Sequence, residues 1–164
     1  MYLWLRFLHI LGALVFFYSH GASGLVALQL RTERDPGRIR AMMGTYATNL
    51  TFGLQYGALL LLLVTGIVSG FIGNWWSKAW IWLSLGLLIA IIVAMYLIGT
   101  RYYTQVRKSI GMEYMEAGKN QPPMSPGSPE AVDGLLSRSP AMLLFSIGYG
   151  GLAIILWLMI FKPI

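Results

Sequence analysis

The sequence predicts an all-α fold: an antiparallel bundle of four transmembrane helices with both termini outside. Three observations predict it. Of 164 residues, 57% are hydrophobic and only 11% charged, against about a quarter charged in a typical soluble domain. The apolar residues gather into four runs, each long enough for a hydrocarbon core that takes about 20 residues of helix. Nine of the 12 basic residues fall in two connections between those runs, which sets an orientation.

The first span runs from about residue 3 to residue 30. Its apolar stretch is too long for a cleaved signal peptide, and only Arg6 precedes it as a basic residue. Asp35-Pro36 then reads as a helix start, an N-cap oxygen followed by a proline whose missing N–H costs nothing at the first position. Ile39, Met42, Met43, Tyr46 and Leu50 continue at helical spacing, so the second span, 52–72, is expected to begin as an unbroken cytoplasmic extension. Gly73-Asn74 to Lys78 is short enough for a tight hairpin into the third span, 79–99.

The loop 101–139 divides in two. Tyr103, Val106, Ile110 and Tyr114 fit a helical continuation near the headgroups. The stretch 121–129 is rich in proline, poor in apolar surface, and expected to be a mobile linker. Ser139-Pro140 repeats the helix-start signal before the fourth span, 141–161. The whole chain, 1–164, is read as one membrane domain. No internal repeat is visible, so an inverted-repeat transporter has no support.

The loops 31–51 and 101–139 hold Arg31, Arg34, Arg38, Arg40, Arg101, Arg107, Lys108, Lys119 and Arg138; the opposite side holds Arg6, Lys78 and Lys162. The positive-inside rule therefore makes both long loops cytoplasmic. The six tryptophans (Trp4, Trp75, Trp76, Trp80, Trp82, Trp157) all fall on the sparsely charged side and would form one interfacial belt. The net charge of +6 is explained by membrane orientation and anionic headgroups rather than by nucleic acid.

Small residues are expected to hold the helices together, because lipid gives no hydrophobic drive between them. Span two carries Gly53-xxx-Gly57, Gly66-xxx-Gly70 and Thr65-xxx-Ser69-xxx-Gly73; span three carries Gly86-xxx-Ala90-xxx-Ala94; span four carries Gly148, Gly150 and Gly151. Contact within one chain, a homodimer face, or clearance for a flat cofactor would each use them.

The absence of cysteine removes disulfides and thiolate zinc sites. No Asp or Glu lies in any span, which removes a carboxylate proton relay. His9 and His20 remain as the intramembrane ionisable pair. Eleven residues separate them, about 16.5 Å along the helix and about 20° around it. They share a face with Arg6, Ala13, Phe17 and Gly24, and cannot ligate one metal together. Haem suits so sparse a ligand set, since iron takes one or two axial side chains. His9 is then the candidate metal ligand, and His20 a second candidate cofactor-binding residue at a separate, deeper site, where Met95, near its depth, could pair with it. Each histidine can equally be a packing residue bonded to a carbonyl or hydroxyl such as Ser84, Ser146 or Thr65. Lys78 among Trp75, Trp76 and Trp80 could hold a propionate, or snorkel as an interface lysine; Arg6 reads the same way.

The opening Trp4-Leu-Arg-Phe-Leu-His9-Ile-Leu-Gly resembles the first helix of a superfamily of small bacterial membrane proteins. It includes the copper-resistance D (CopD) domain, the HemJ-type protoporphyrinogen oxidases and an uncharacterised branch of predicted integral membrane proteins, to which the likeness is greatest. Lys78-Ala-Trp80-Ile-Trp82-Leu is similar to the entry of their third helix. The resemblance implies a bacterial inner (plasma) membrane and haem b or porphyrin handling by His9 and Lys78. Departures from the HemJ pattern are Phe16-Phe-Tyr-Ser-His-Gly in place of Trp-Phe-Ala-Gly, and Arg6 in place of lysine. Three functions are therefore expected to compete: haem or porphyrin handling, a non-catalytic accessory subunit or scaffold of a larger membrane complex, and a small-molecule transporter acting as an oligomer.

Overall fold

A computed structural model describes residues 2–46 and 49–163, and side chains throughout these except at 49–52. The chain is mostly helical, with four helices long and apolar enough to cross a membrane. The elements are α1 (Tyr2–Leu30), α2 (Pro36–Thr45), α3 (Asn49–Ile72), α4 (Ala79–Ala94), α5 (Arg101–Ser109), strands β1 (Tyr114–Glu116) and β2 (Lys119–Gln121), α6 (Pro129–Ser137), α7 (Ala141–Phe145) and α8 (Gly151–Phe161). A π-helical stretch, Met95–Thr100, joins α4 to α5 in one rod, and another, Ser146–Gly150, joins α7 to α8.

Among the helices, α1 lies against α3 over the longest contact, α4 lies against α8, and α7 reaches α1. Gly12 makes the first of these possible. A methyl group there would stand 3.2 Å from the Ala58 carbonyl oxygen and 3.2 Å from the Leu62 nitrogen, both backbone atoms. Gly66 clears His9, Gly70 clears Trp76, and Gly151 clears Ile91. Gly53, Gly57 and Gly86 face no part of the described chain. Only some of the small-residue stripes thus serve contact within one chain.

A turn links α3 to α4. Asn74 takes the left-handed conformation (φ 53°, ψ 41°), a 3-10 turn covers Trp75–Ser77, and the Lys78 N–H donates to the Trp75 carbonyl at 2.9 Å. Here Trp80, Ile81 and Leu158 form a small core with Trp75 and Trp76 beside it.

At the other end the loops fold into a cap. Ala27, Leu30, Ile39, Met43, Tyr103, Val106, Ile110, Leu136, Ala141 and Leu144 form one buried cluster drawn from α1, α2, α5 and the turn after it, α6 and α7. Asp35 starts α2 as its sequence predicts, accepting from the Arg38 N–H at 2.7 Å. Two arginines close the cap by reciprocal helix-end bonds. Arg40 of α2 donates to the carbonyls of Ile110 (2.7 Å) and Gly111 (2.9 Å) just past α5, while Arg107 of α5 donates to Met43 (3.0 Å) and Tyr46 (3.1 Å) at the end of α2. Each cation meets the negative end of the other's helix, where the last carbonyls lack partners.

The cap corrects several expectations. The helix from Asp35 does not run unbroken into span two: Tyr46 is extended (φ −70°, ψ 121°) and α2 ends at Thr45. Residues 47–48 lie outside the described chain, as does the side chain of Leu50. The continuation after span three stops at Ser109, because Gly111 (φ +64°) turns the chain and the Met112 N–H returns to the Arg107 carbonyl at 2.9 Å. Tyr114 therefore lies on a strand, and the fold carries a two-stranded antiparallel hairpin besides its helices. Ala117 and Gly118, both with positive φ, make its two-residue turn. The proline-rich stretch has no regular structure over residues 122–128, yet it is tied down: the Gly127 N–H donates to the Ser109 carbonyl at 2.9 Å. It leads into α6, whose N-cap Ser128 accepts from the Ala131 N–H at 3.3 Å.

Candidate functional site

The histidine face of α1 turns inward as expected: both histidines are partly buried, while Arg6 near the helix start is exposed. His9 Nδ1 lies 3.0 Å from the Leu62 carbonyl oxygen and 3.1 Å from Thr65 Oγ1. A carbonyl oxygen only accepts, so the ring proton must sit on Nδ1. The Thr65 hydroxyl donates in turn to the Leu61 carbonyl at 2.6 Å. His9 Nε2 is left with its lone pair, no partner among the described residues, and no burial that seals it.

His20 is held differently. Its ring stacks on Phe16 at 5.8 Å and 5°, and Nδ1 lies 3.2 Å from Gln55 Nε2. An amide presents either a donor or an acceptor, so this partner fixes no tautomer. The carbonyl at His9 does. Met95 comes to His20 as depth counting along the spans expects: a methyl group at Gly148 would lie 3.1 Å from His20 Nε2 and 2.9 Å from Met95 Cε. Met95 opens one π-helical stretch, and Gly148 with Tyr149 sits in the other. The Tyr149 hydroxyl rests over Gly21, and its ring lies 6.4 Å from that of His20. Such stretches recur at functional sites because they displace a helix's side chains from regular register. Sequence periodicity at 3.6 residues carries no mark of them.

The cations do not gather around His9. Arg6 turns back towards Tyr2, its Cζ 5.7 Å from the ring centre. The Lys78 side chain is exposed. The cation on the neighbouring indoles is Lys162, 4.1 Å from the centre of the Trp75 ring and 5.4 Å from that of Trp80. A cavity of about 150 Å³ lies in the cap between Ile39, Arg40, Ile110, Pro126, Val132 and Leu136, and neither histidine lines it. Among the described residues no three His, Cys, Asp or Glu side chains group as metal ligands.

The arrangement defines a class: a polytopic helical chain with two separate histidine stations inside its apolar region, one of fixed and one of open tautomer. No protein-family model, curated protein or solved structure matches the chain.

Proposed function

We propose that this chain is a multi-pass membrane protein that binds haem b or a related porphyrin, with His9 as the axial protein ligand. One observation supports the reading: the Leu62 carbonyl on Nδ1 at 3.0 Å, which orients the ring and leaves Nε2 to ligate. Metal-binding histidines are held in this way. The donor set fits a single axial ligand. His20 stands about 16.5 Å further along α1 and does not reach the same iron. Arg6, three residues before His9 on the same helix, is the nearest cation in sequence for a propionate, and Lys78 is the other candidate. Haem, when bound, supplies electron-transfer or oxidative chemistry. The chain's own part is to hold the His9 proton on Nδ1 and to surround the ring with α1 and α3. In this reading the four spans run antiparallel across a bacterial inner membrane, both termini are outside, and the cap is cytoplasmic.

The test is the visible spectrum of the detergent-purified protein after haem addition. A Soret band is expected in the wild type, lost or strongly shifted in His9→Ala, and retained in His20→Ala. If the wild type takes up no haem, or His9→Ala leaves the band unchanged, the ligand role is gone.

The second reading is an accessory subunit or scaffold of a larger membrane complex, or a homodimer. It is favoured by Gly53, Gly57 and Gly86, which face no part of the described chain and leave room for a neighbouring helix. Co-purification with a larger complex, without bound haem, would put this reading first.

A further inference from the structure

Three basic side chains of the chain are partly buried: Arg31, Arg107 and Lys108. Arg107 donates to the end of α2, and Lys108 pairs with Glu116 at 2.7 Å. Arg31 has no hydrogen bond or ion pair within the described chain, and its Nε is buried. The acids that could serve it are engaged elsewhere. Glu33 accepts from the N–H groups of Arg34 and Asp35, Asp133 pairs with Arg34, and Asp35 caps α2.

A guanidinium nitrogen buried without an acceptor, as Arg31 Nε is, is costly, whereas exposed unpaired arginines cost nothing. The surroundings of Arg31 are furnished for an acceptor. It follows Leu30, the last residue of α1, and lies within electrostatic range of the hydroxyls of Tyr102 and Tyr103. Tyr102 spends its hydroxyl proton on the Leu135 carbonyl at 3.0 Å. The buried Tyr103 hydroxyl lies next to Ser139 without meeting hydrogen-bond geometry, so its proton is available too.

We infer that the corner between the end of α1, the start of α5 and the turn before α7 binds a phosphoryl group, held by Arg31 with the Tyr103 hydroxyl and Ser139 beside it. The planar guanidinium offers parallel N–H donors that match two phosphoryl oxygens. The place suits a lipid headgroup, since α1 is apolar up to Leu30 and the chain turns polar at Arg31. This site is independent of His9 and of any haem.

The test uses the full chain, delipidated in a neutral detergent. Thermal unfolding is followed with added phosphatidylglycerol, phosphatidylcholine or inorganic phosphate, and lipid phosphorus is counted in the protein before delipidation. Phosphatidylglycerol is expected to raise the wild-type midpoint. Arg31→Gln should bind it at least about tenfold more weakly, the loss of one charge-assisted pair, while Lys119→Gln, an exposed cation on β2, keeps the full shift. If inorganic phosphate alone reproduces the shift, the phosphoryl site stands and its source is a soluble anion. Equal shifts with both lipids mean that the phosphoryl group, not net charge, is read. Should Arg31→Gln fail to fold, Arg31→Lys keeps the charge and loses the paired donors, and weaker binding is again expected. Retained lipid phosphorus before delipidation assigns the source to a lipid. No shift in the wild type with any of the three, or an Arg31→Gln shift equal to the wild type's, would overturn the site.

Discussion

Gly12 is the residue on which the closest helix contact rests. A side chain there meets backbone on the facing helix, and backbone cannot turn aside as a rotamer can. Gly12→Ala is expected to destabilise the protein by about 1–3 kcal/mol, the cost of overpacking a close contact. Gly57→Ala, where nothing lies within reach, should leave the unfolding midpoint of the monomer unchanged. Unfolding in graded denaturing detergent measures both. Equal stability of the two variants would mean that α1 and α3 do not approach at Gly12. Single glycines were hard to rank from sequence, because a stripe of small residues fits a chain-internal contact and a lipid-facing groove alike. His9 was legible as an inward-facing residue with a hydroxyl partner, and Thr65 is one of its two acceptors. The Leu62 carbonyl was not legible, since every residue of a helix carries one.

At the scale of elements, the spans were the readable part, because apolar length is a local property of the chain. The cap was not. Its hairpin turns on Ala117-Gly118, a weaker signal than the Asn-Gly or Asp-Gly pairs that favour such turns. Helix α6 begins with Ser128-Pro129, the same signal as Asp35-Pro36, but it stands at the end of a proline-dense stretch that reads as linker. The arginines that bind α2 to α5 read as topology signals, and nothing local marks Arg40 and Arg107 apart from the other seven basic residues of the two loops. Removing either should loosen one joint and leave the spans intact. Arg107→Ala withdraws three bonds of its guanidinium, two of them to part-buried carbonyls at the end of α2 and one to the exposed Glu113 carbonyl; a cost of about 2–4 kcal/mol is expected. Limited proteolysis should then cut in the loops 31–36 and 110–128, with no fragmentation of the spans. Exposed Arg38→Ala, whose partner Glu33 lies at 3.9 Å, should change cleavage little, as surface pairs contribute about 0–1 kcal/mol. Cleavage of Arg107→Ala no faster than that of Arg38→Ala would remove the joint from the account.

For the whole molecule the two ends differ in kind. The cap end joins five helices in a mixed core with paired charges; the end at the α3–α4 turn is a cluster of indoles with Lys162 against them. The absence of cysteine makes sidedness directly testable. Asn74→Cys, in the exposed turn between α3 and α4, should react with an impermeant thiol reagent in intact cells. Pro126→Cys should react only after permeabilisation. Labelling of Pro126→Cys in intact cells would invert the orientation, and with it the side on which the Arg31 phosphoryl site opens.

The reciprocal arginine joint also imposes an order on biosynthesis. Arg107 lies 64 residues after the Met43 carbonyl that it meets, and Arg40 lies 70 residues before the Ile110 carbonyl. While spans two and three are still being made, the terminal carbonyls of α2 have no Arg107 to receive. The joint closes only once Arg107 has left the exit tunnel, by which time both intervening spans have been made. Its closure therefore cannot precede the synthesis of the first three spans.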